Sequence, residues 1–404
     1  MAPRPYIVRF SRSISEFMKL SSPRLYRSIL FAPVALAIFL STACIGRPAA
    51  PAGTGSAVPI PVRASAATFT NPILDHAPDP WVIWRRGKYY MLCTTGRNLR
   101  IHESTSLTDI KDGKSVVVWR APAQGPNSQQ VWAPELHFIH GHWYLYYCAD
   151  DGRDADHRIF VLESATDDPL GAYIDRGKVA DATDQWAIDP TVLQLKNGAD
   201  YLLWSGRDHW PADQSIYIAR LSNPWTITGP RAALSRPTYP WERHGWPVNE
   251  GPEILQHHGR IFVVYSASGY TTPDYCLGLL THTSGDVMDP KTWTKSPVPV
   301  FQEYDGPDGG VYGPGHCSFT RSPDGKQDWI VYHGRDTSAN GGGDRSSRAQ
   351  PFTWNPDGTP HFGHPIPDGE ALPIPSGEVP ILQAAVHSSA APGASTNQRT
   401  AFAP

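Results

Sequence analysis

Charge is scarce in this 404-residue chain: Asp, Glu, Lys and Arg together make up 18%, against about 25% in an average protein. The 35 basic and 38 acidic residues leave a formal net charge of -3, which removes the usual electrostatic basis for nucleic-acid binding. Ile29 to Leu40 is an apolar run of twelve residues, too few to span a bilayer, which needs about 20. Cysteine is sparse as well. Setting Cys44 aside, Cys93, Cys148, Cys276 and Cys317 are too far apart for any zinc spacing and read as buried free thiols. There is no P-loop, GPGHCS lacks the spacing of a dinucleotide fingerprint, and YSASG is not a nucleophile elbow. The acidic run Asp150, Asp151, Asp154 and Asp156 lacks calcium-loop spacing and reads as a solvated loop. His257 and His258 precede a turn glycine and read as surface residues.

What is present points to packed β-structure. The chain holds 40 Pro, 35 Gly, 14 Trp, 17 Tyr and 13 Phe, a turn-rich and ring-rich composition opposite to that of disorder. All the tryptophans fall between Trp81 and Trp354. Arg24 and Arg27 precede the apolar run and Ser41, Thr42, Ala43 and Cys44 follow it, the plan of a secretory signal peptide. Residues 1–44 are therefore expected to direct export, with Met18 as an alternative start. Lipid anchoring at Cys44 is a second option, although Ser41 stands where an aliphatic residue is expected. Residues 45–67 read as a linker and 384–404 as a disordered tail.

Between them one unit recurs five times: WVIWRRGKYYMLC from Trp81, ELHFIHGHWYLYYC from Glu135, TVLQLKNGADYLLW from Thr191, EILQHHGRIFVVY from Glu253 and SFTRSPDGKQDWIVY from Ser318. Each reads as a β-hairpin. The turn glycines Gly87, Gly141, Gly198, Gly259 and Gly325 are spaced for about four strands per unit, the content of a propeller blade. The expected fold is an all-β, five-bladed β-propeller over residues 68–383. A sandwich would not predict the recurrence.

Equivalent positions before each hairpin should converge on the propeller axis. Nine residues before the turn glycine stand Trp132, Asp189, Glu250 and His316, and eight before it, in the first unit, stands Asp79. Taken singly, an Asp before Pro is a turn residue and a lone His a core residue. Together, three carboxylates, a His and a Trp at one axis suit displacement at an acetal carbon, in which one carboxylate activates water and a second carboxyl protonates the leaving oxygen. A third would raise the pKa of the acid by repulsion, and Trp132 would wall the apolar face of a sugar.

The segments HAPDPWV, VWAPELH, WAIDPTV, VNEGPEIL and GPGHCSF resemble glycoside hydrolase family 43, a family of five-bladed propellers, over about residues 70 to 365. The longer stretches WAPELHFIHGHWYLYYCADDG, TYPWERHGWPVNEGPEIL and YGPGHCSFTRSPDG resemble most its exo-acting α-L-arabinofuranosidases. The resemblance implies an inverting hydrolase acting on plant cell-wall arabinan, arabino-oligosaccharides or arabinoxylan, with Asp79 as general base, Glu250 as general acid and Asp189 tuning and orienting the acid. It also implies that His316 helps to hold a hydrated cation such as calcium or a water cluster on the axis, with no cofactor required. A sugar-contacting Arg is expected at Arg345, with Arg348 as the alternative. Pro190 departs from the Gly expected in the most similar members. A β-xylosidase, an endo-arabinanase and a sugar-binding propeller without catalysis are the competing readings.

Overall fold

A computed structural model describes residues 67–379. The export segment, Cys44, the tail and all of the linker but its last residue lie outside the described residues. Within them the structure is a five-bladed β-propeller whose only helical elements are four short 3-10 turns. Blade I is built from Trp81–Arg85, Lys88–Leu92, Asn98–Ser104 and Lys114–Arg120, and blade II from Gln129–Ile139, His142–Asp150, Arg158–Ser164 and Tyr173–Val179. Blade III uses Ala187–Gln194, Asp200–Gly206, Ser215–Asn223 and Thr226–Ser235, and blade IV uses Asn249–His257, Arg260–Ala267, Cys276–His282 and Trp293–Lys295. Blade V comprises Gly309–Arg321, Asp328–Arg335, Ser346–Trp354 and Pro360–His361, with Tyr304–Gly306 paired to the start of its first strand. Every pairing within a blade is antiparallel.

The core is divided among the blade interfaces. Separate apolar clusters join blades I and II through Leu92, Leu136 and Tyr147, II and III through Tyr146, Val161 and Leu202, and III and IV through Leu203, Ile218 and Val263. Two more join IV and V through Phe262, Leu279 and Tyr332, and V and I through Val331, Ala349 and Met91. A second strand is therefore covered on both faces, which is why His142–Asp150 is buried at every position after the first and reads as a continuous ring-rich run rather than an alternation. Burying each such large side chain contributes about 1.5–3 kcal/mol. Cys93, Cys148, Cys276 and Cys317 are buried and unpaired within these layers.

The chain ends close the ring. Ile73 donates its amide to the Ser347 carbonyl at 2.9 Å, and Ser347 returns its own amide to Leu74 at 2.9 Å. The Asn71 side chain completes this edge as a strand would, donating to the Ala349 carbonyl at 3.1 Å and accepting the Ala349 amide at 2.9 Å. Thr68–Phe69 pairs with Leu372–Pro373, and Glu378 accepts from the Leu107 amide and the Thr108 hydroxyl of blade I.

The register of the five units differs from the count made on the sequence. Each innermost strand of blades II to V carries an irregularity in its pairing, and positive-φ residues recur at Asp79, Ala133, Asp189, Gly251 and His316. These five are the equivalent positions. Trp132 and Glu250 stand one residue earlier. The cause lies at the far end of the hairpin. Blades I, II and IV turn on two residues, Arg86-Gly87, His140-Gly141 and His258-Gly259, all at positive φ, whereas blades III and V need longer loops between Gln194 and Asp200 and between Arg321 and Asp328. The short turns place the glycine one residue nearer the bulge, so blade I is one of three short hairpins and not the exception.

Candidate active site

The bulges explain why carboxylates reach the axis. A bulge re-aims side chains and interrupts the ladder, and a non-glycine residue held at positive φ costs on the order of 1–3 kcal/mol unless its surroundings hold it there. Asp79 at φ 57 and Asp189 at φ 54 are held by bonds. The Asp79 amide donates to His333 Nδ1 at 3.1 Å, and Asp189 Oδ2 accepts the Gly251 amide at 2.9 Å. His316, at φ 45, donates its amide to Ser266 Oγ at 2.7 Å. Gly251 is itself required: it sits at φ 51, and a Cβ there would stand 3.1 Å from the His316 ring.

A cavity of about 180 Å³ opens at this point, lined by Asp79, Thr94, Trp132, Ile188, Asp189, Glu250, Tyr270, His316 and Arg345. The structure thus brings together all six residues singled out in the sequence. Arg348 lies elsewhere, fully buried and paired with Asp336 and Asp368. A larger recess of about 320 Å³, lined by Trp84, Leu255, Phe319 and Trp354 among others, has Arg321 and Asp328 paired with each other at 3.0 Å and offers no poised carboxyl pair.

The three carboxyl groups are all buried, but their pKa values are displaced in opposite directions. Burial alone would raise Asp79, yet the Arg345 guanidinium 2.9 Å away brings it well below the usual carboxylate range, an effect that His316 at 3.4 Å and His333 at 3.3 Å reinforce only at a pH low enough to protonate them. Asp189 moves the other way. Burial first, then repulsion by Glu250 and Asp79, push it well above its ordinary value. Glu250 is raised too, chiefly by burial, with partial relief from Tyr275, whose hydroxyl bonds Oε1 at 2.9 Å, and from Gln214, whose amide donates to Oε2 at 2.9 Å. Asp189 and Glu250 therefore form a pair biased towards holding a proton, and Asp79 a group biased towards its charged form.

Trp132 forms one wall, its ring stacked on His157 at 4.2 Å and 26°. His157 is fully buried, with Nδ1 3.2 Å from both Asp150 and Asp154. The acidic run is thus not merely a solvated loop: Asp150 is wholly buried and also accepts from Gln130 Nε2 at 2.6 Å. His257 likewise stacks on Trp354, centroids 3.6 Å apart, while His258 is exposed.

Below the cavity a second ring of equivalent positions carries Glu135 and Glu253, both buried and in hydrogen-bonding contact. Burial, then repulsion by Glu135, raises Glu253 well above the ordinary range. His137 Nε2 lies 2.6 Å from Glu135, and Thr191 donates to Glu253 at 3.4 Å. The count of repeat positions passed over this pair, and over Gln214, Tyr270, Tyr275 and His333. Of the last four, His333 lies on a second strand and the others on connections, where no five-fold register marks them; Glu135 and Glu253 were legible as the PE dipeptide that follows the bulge in blades II and IV. Among the described residues no group of three or more His, Cys, Asp or Glu is arranged to hold a metal ion. His316 turns Nδ1 towards Asp79 at 3.4 Å, so an ion or water on the axis would meet its other ring nitrogen, Nε2.

Comparison with known proteins bears on the same region. A family model described as Glycosyl hydrolases family 43 matches residues 69–360. An extracellular exo-alpha-(1->5)-L-arabinofuranosidase of Streptomyces avermitilis is 40% identical over 318 residues, 75% of this chain. The match spans only 65% of that relative's length. An enzyme of the same name from Streptomyces chartreusis is 40% identical over 298 residues, covering 71% of this chain and 89% of its own. The crystal structure of an alpha-L-arabinofuranosidase from Lactobacillus brevis superposes with a TM-score of 0.70 at 35% identity, over 75% of this chain and 98% of that one.

Proposed function

Because the chain belongs to glycosyl hydrolase family 43, we propose that it is an exo-acting, inverting α-L-arabinofuranosidase that removes terminal arabinofuranosyl units from plant cell-wall arabinan, arabino-oligosaccharides or arabinoxylan. The observation that carries this reading is three buried carboxyl groups meeting in one small cavity, Asp79 ion-paired with Arg345 at 2.9 Å and Asp189 and Glu250 bonded instead to the neutral donors Gly251, Tyr275 and Gln214, a difference that lowers the pKa of the first and leaves those of the other two raised. Inversion at an acetal carbon needs one group of each kind. Asp79 takes a proton from water as its oxygen bonds the anomeric carbon. Glu250 delivers a proton to the glycosidic oxygen as that bond breaks, and arabinose leaves as the β-anomer. Asp189, fixed by the Gly251 amide, tunes Glu250 through the mutual repulsion that keeps one proton on the pair, and it orients the backbone beside Glu250. Arg345 and Trp132 bind the sugar.

The cavity volume of about 180 Å³ is below the roughly 300–1,000 Å³ of pockets for drug-sized ligands and suits a single ring, which favours removal of end units over internal cleavage. A cation on the axis would be hydrated and held through water beside His316; no step depends on it. The chain is read as exported, with lipid anchoring at Cys44 as the alternative form. No helix among the described residues is long and apolar enough to cross a membrane.

The test is an NMR time course on α-1,5-linked arabino-oligosaccharides, with xylobiose and debranched arabinan beside them. Arabinose should be released first as the β-anomer. Retention, internal cleavage or release of xylose alone would overturn the reading. In Glu250→Gln hydrolysis should fall by about a hundredfold or more, while arabinotriose binding stays measurable by calorimetry.

A further inference from the structure

The described residues expose three large aromatic side chains, Trp210, Trp246 and Tyr270. Trp210 has a structural reason to be there, since it covers the Arg207 guanidinium at 5.0 Å, with Trp186 on the same cation at 4.5 Å. Tyr270 likewise lies against a cation, Arg345, whereas Trp246 meets only the edge of Tyr270. Each is 36% exposed, yet both are held firmly. The rings meet edge to face, centroids 5.9 Å apart at 85°. The His244 carbonyl accepts the Trp246 amide at 2.9 Å and the Gly269 amide at 2.8 Å, tying together the two segments that carry them. Glycine makes room for both. A Cβ at Gly269 would stand 2.8 Å from the Trp246 ring, and one at Gly342 would strike the Tyr270 ring.

Position links this pair to the chemistry. Tyr270 lines the cavity itself and lies under the Arg345 guanidinium at 4.6 Å. Trp246 precedes Glu250 by four residues, and Tyr270 follows the second strand of the same blade. Glu250 must sit within hydrogen-bond reach of the oxygen that it protonates. Trp246 and Tyr270, on the blade that carries Glu250, are the partly exposed rings beside that leaving group.

We propose that Trp246 and Tyr270 form a leaving-side platform on which the second furanosyl ring of an arabino-oligosaccharide packs. The proposal rests on the arabinofuranosidase reading above and specifies how such a protein distinguishes a sugar chain from a small glycoside. Removing about 55 Å² of apolar surface from water by such packing is worth roughly tenfold in affinity. It is realised only when the leaving group is itself a sugar.

The experiment compares kcat/KM on α-1,5-linked arabinotriose with that on methyl α-L-arabinofuranoside, whose leaving group is too small to reach the platform. In Trp246→Ala the ratio of the two should fall about tenfold, and Trp246→Phe should recover most of it. Equal losses on both substrates would overturn the proposal, because Trp246 would then act only by supporting Tyr270 and Arg345. A second arm titrates arabinotriose into Glu250→Gln with and without Trp246→Ala, where the dissociation constant should rise about tenfold; an unchanged value also overturns the platform. Wild-type protein that binds arabinotriose but cleaves neither substrate would refute the enzymatic reading alone and leave the platform to the binding arm. Wild-type protein that neither binds nor cleaves overturns both.

Discussion

The phenol ring of Tyr275 lies parallel to the imidazole of His333, centroids 5.5 Å apart and planes 6° apart. One ring bonds Glu250 and the other accepts the Asp79 amide, so the proposed acid and the proposed base rest on a single stacked pair. Gly315 is needed for that stack, since any Cβ there would enter the Tyr275 ring. Burial holds His333 at a pKa of about 3, so it stays neutral and keeps Nδ1 free to accept.

Tyr275→Phe keeps the stack and deletes the hydroxyl. Its hydrogen bond favours the ionised form of Glu250, so removing it should raise the pKa of the acid. Activity is lost as pH rises through that value, and the basic limb of the kcat/KM profile should move to higher pH. A profile that does not move, or moves down, would contradict the assignment of Glu250.

Arg345→Ala withdraws the nearest cation from Asp79. Burial is then less opposed, the pKa of the base rises, and the acid limb should also shift upward. Loss of a charge-assisted bond of this kind corresponds to about 1.5–3 kcal/mol, or roughly a ten- to hundredfold fall in kcat/KM. The pH profile separates this effect from a simple binding defect, which would lower the whole curve without displacing it.

Stability should carry a pH signature from the clasp at Glu378, whose pKa burial pushes up to about 7 from an ordinary 4.5. A carboxyl raised on folding binds its proton more tightly in the native state. Its contribution is therefore fully present below about 4.5 and lost as pH rises towards 7, by about 3 kcal/mol at most. Urea denaturation of Glu378→Gln should show a flatter dependence on pH across that window than the wild type.

Pro190→Gly tests the departure noted in the sequence. Proline follows the positive-φ residue in four blades, at Pro80, Pro134, Pro190 and Pro252, so Pro190 obeys the pattern of this fold. Glycine there should cost about 1 kcal/mol or more through the unfolded state. It should also reduce kcat more than KM, as Asp189 loses its fixed backbone. A variant of wild-type stability and activity would show that the proline is incidental.

The blades were legible because each must bury both faces of its middle strands, and that demand writes a ring-dense run after every turn, as in YLYYC and FVVY. Asp79, Asp189 and His316 were legible because they sit on the bulge itself. Trp132 and Glu250 reached the right cavity through a register off by one residue, since a two-residue turn and a longer loop both carry a glycine and composition does not tell them apart. Gln214, Tyr275 and His333 were hidden for another reason: the first two act from connections and the third from a second strand, where each blade differs from the next. The burial of Asp150 was hidden too, because a run of acids gives no sign that His157 and Gln130 will close over its first member.

Because Phe69 meets Leu372 and Glu378 meets Leu107, the first and last described strands lie side by side, and the ring has a seam but no preferred starting blade. A short linker from the region of Thr68 to that of Val379 should therefore allow the chain to be opened at the exposed His258-Gly259 turn instead. Such a circular permutant would begin and end within blade IV, and it would convert the seam from a noncovalent clasp into continuous backbone.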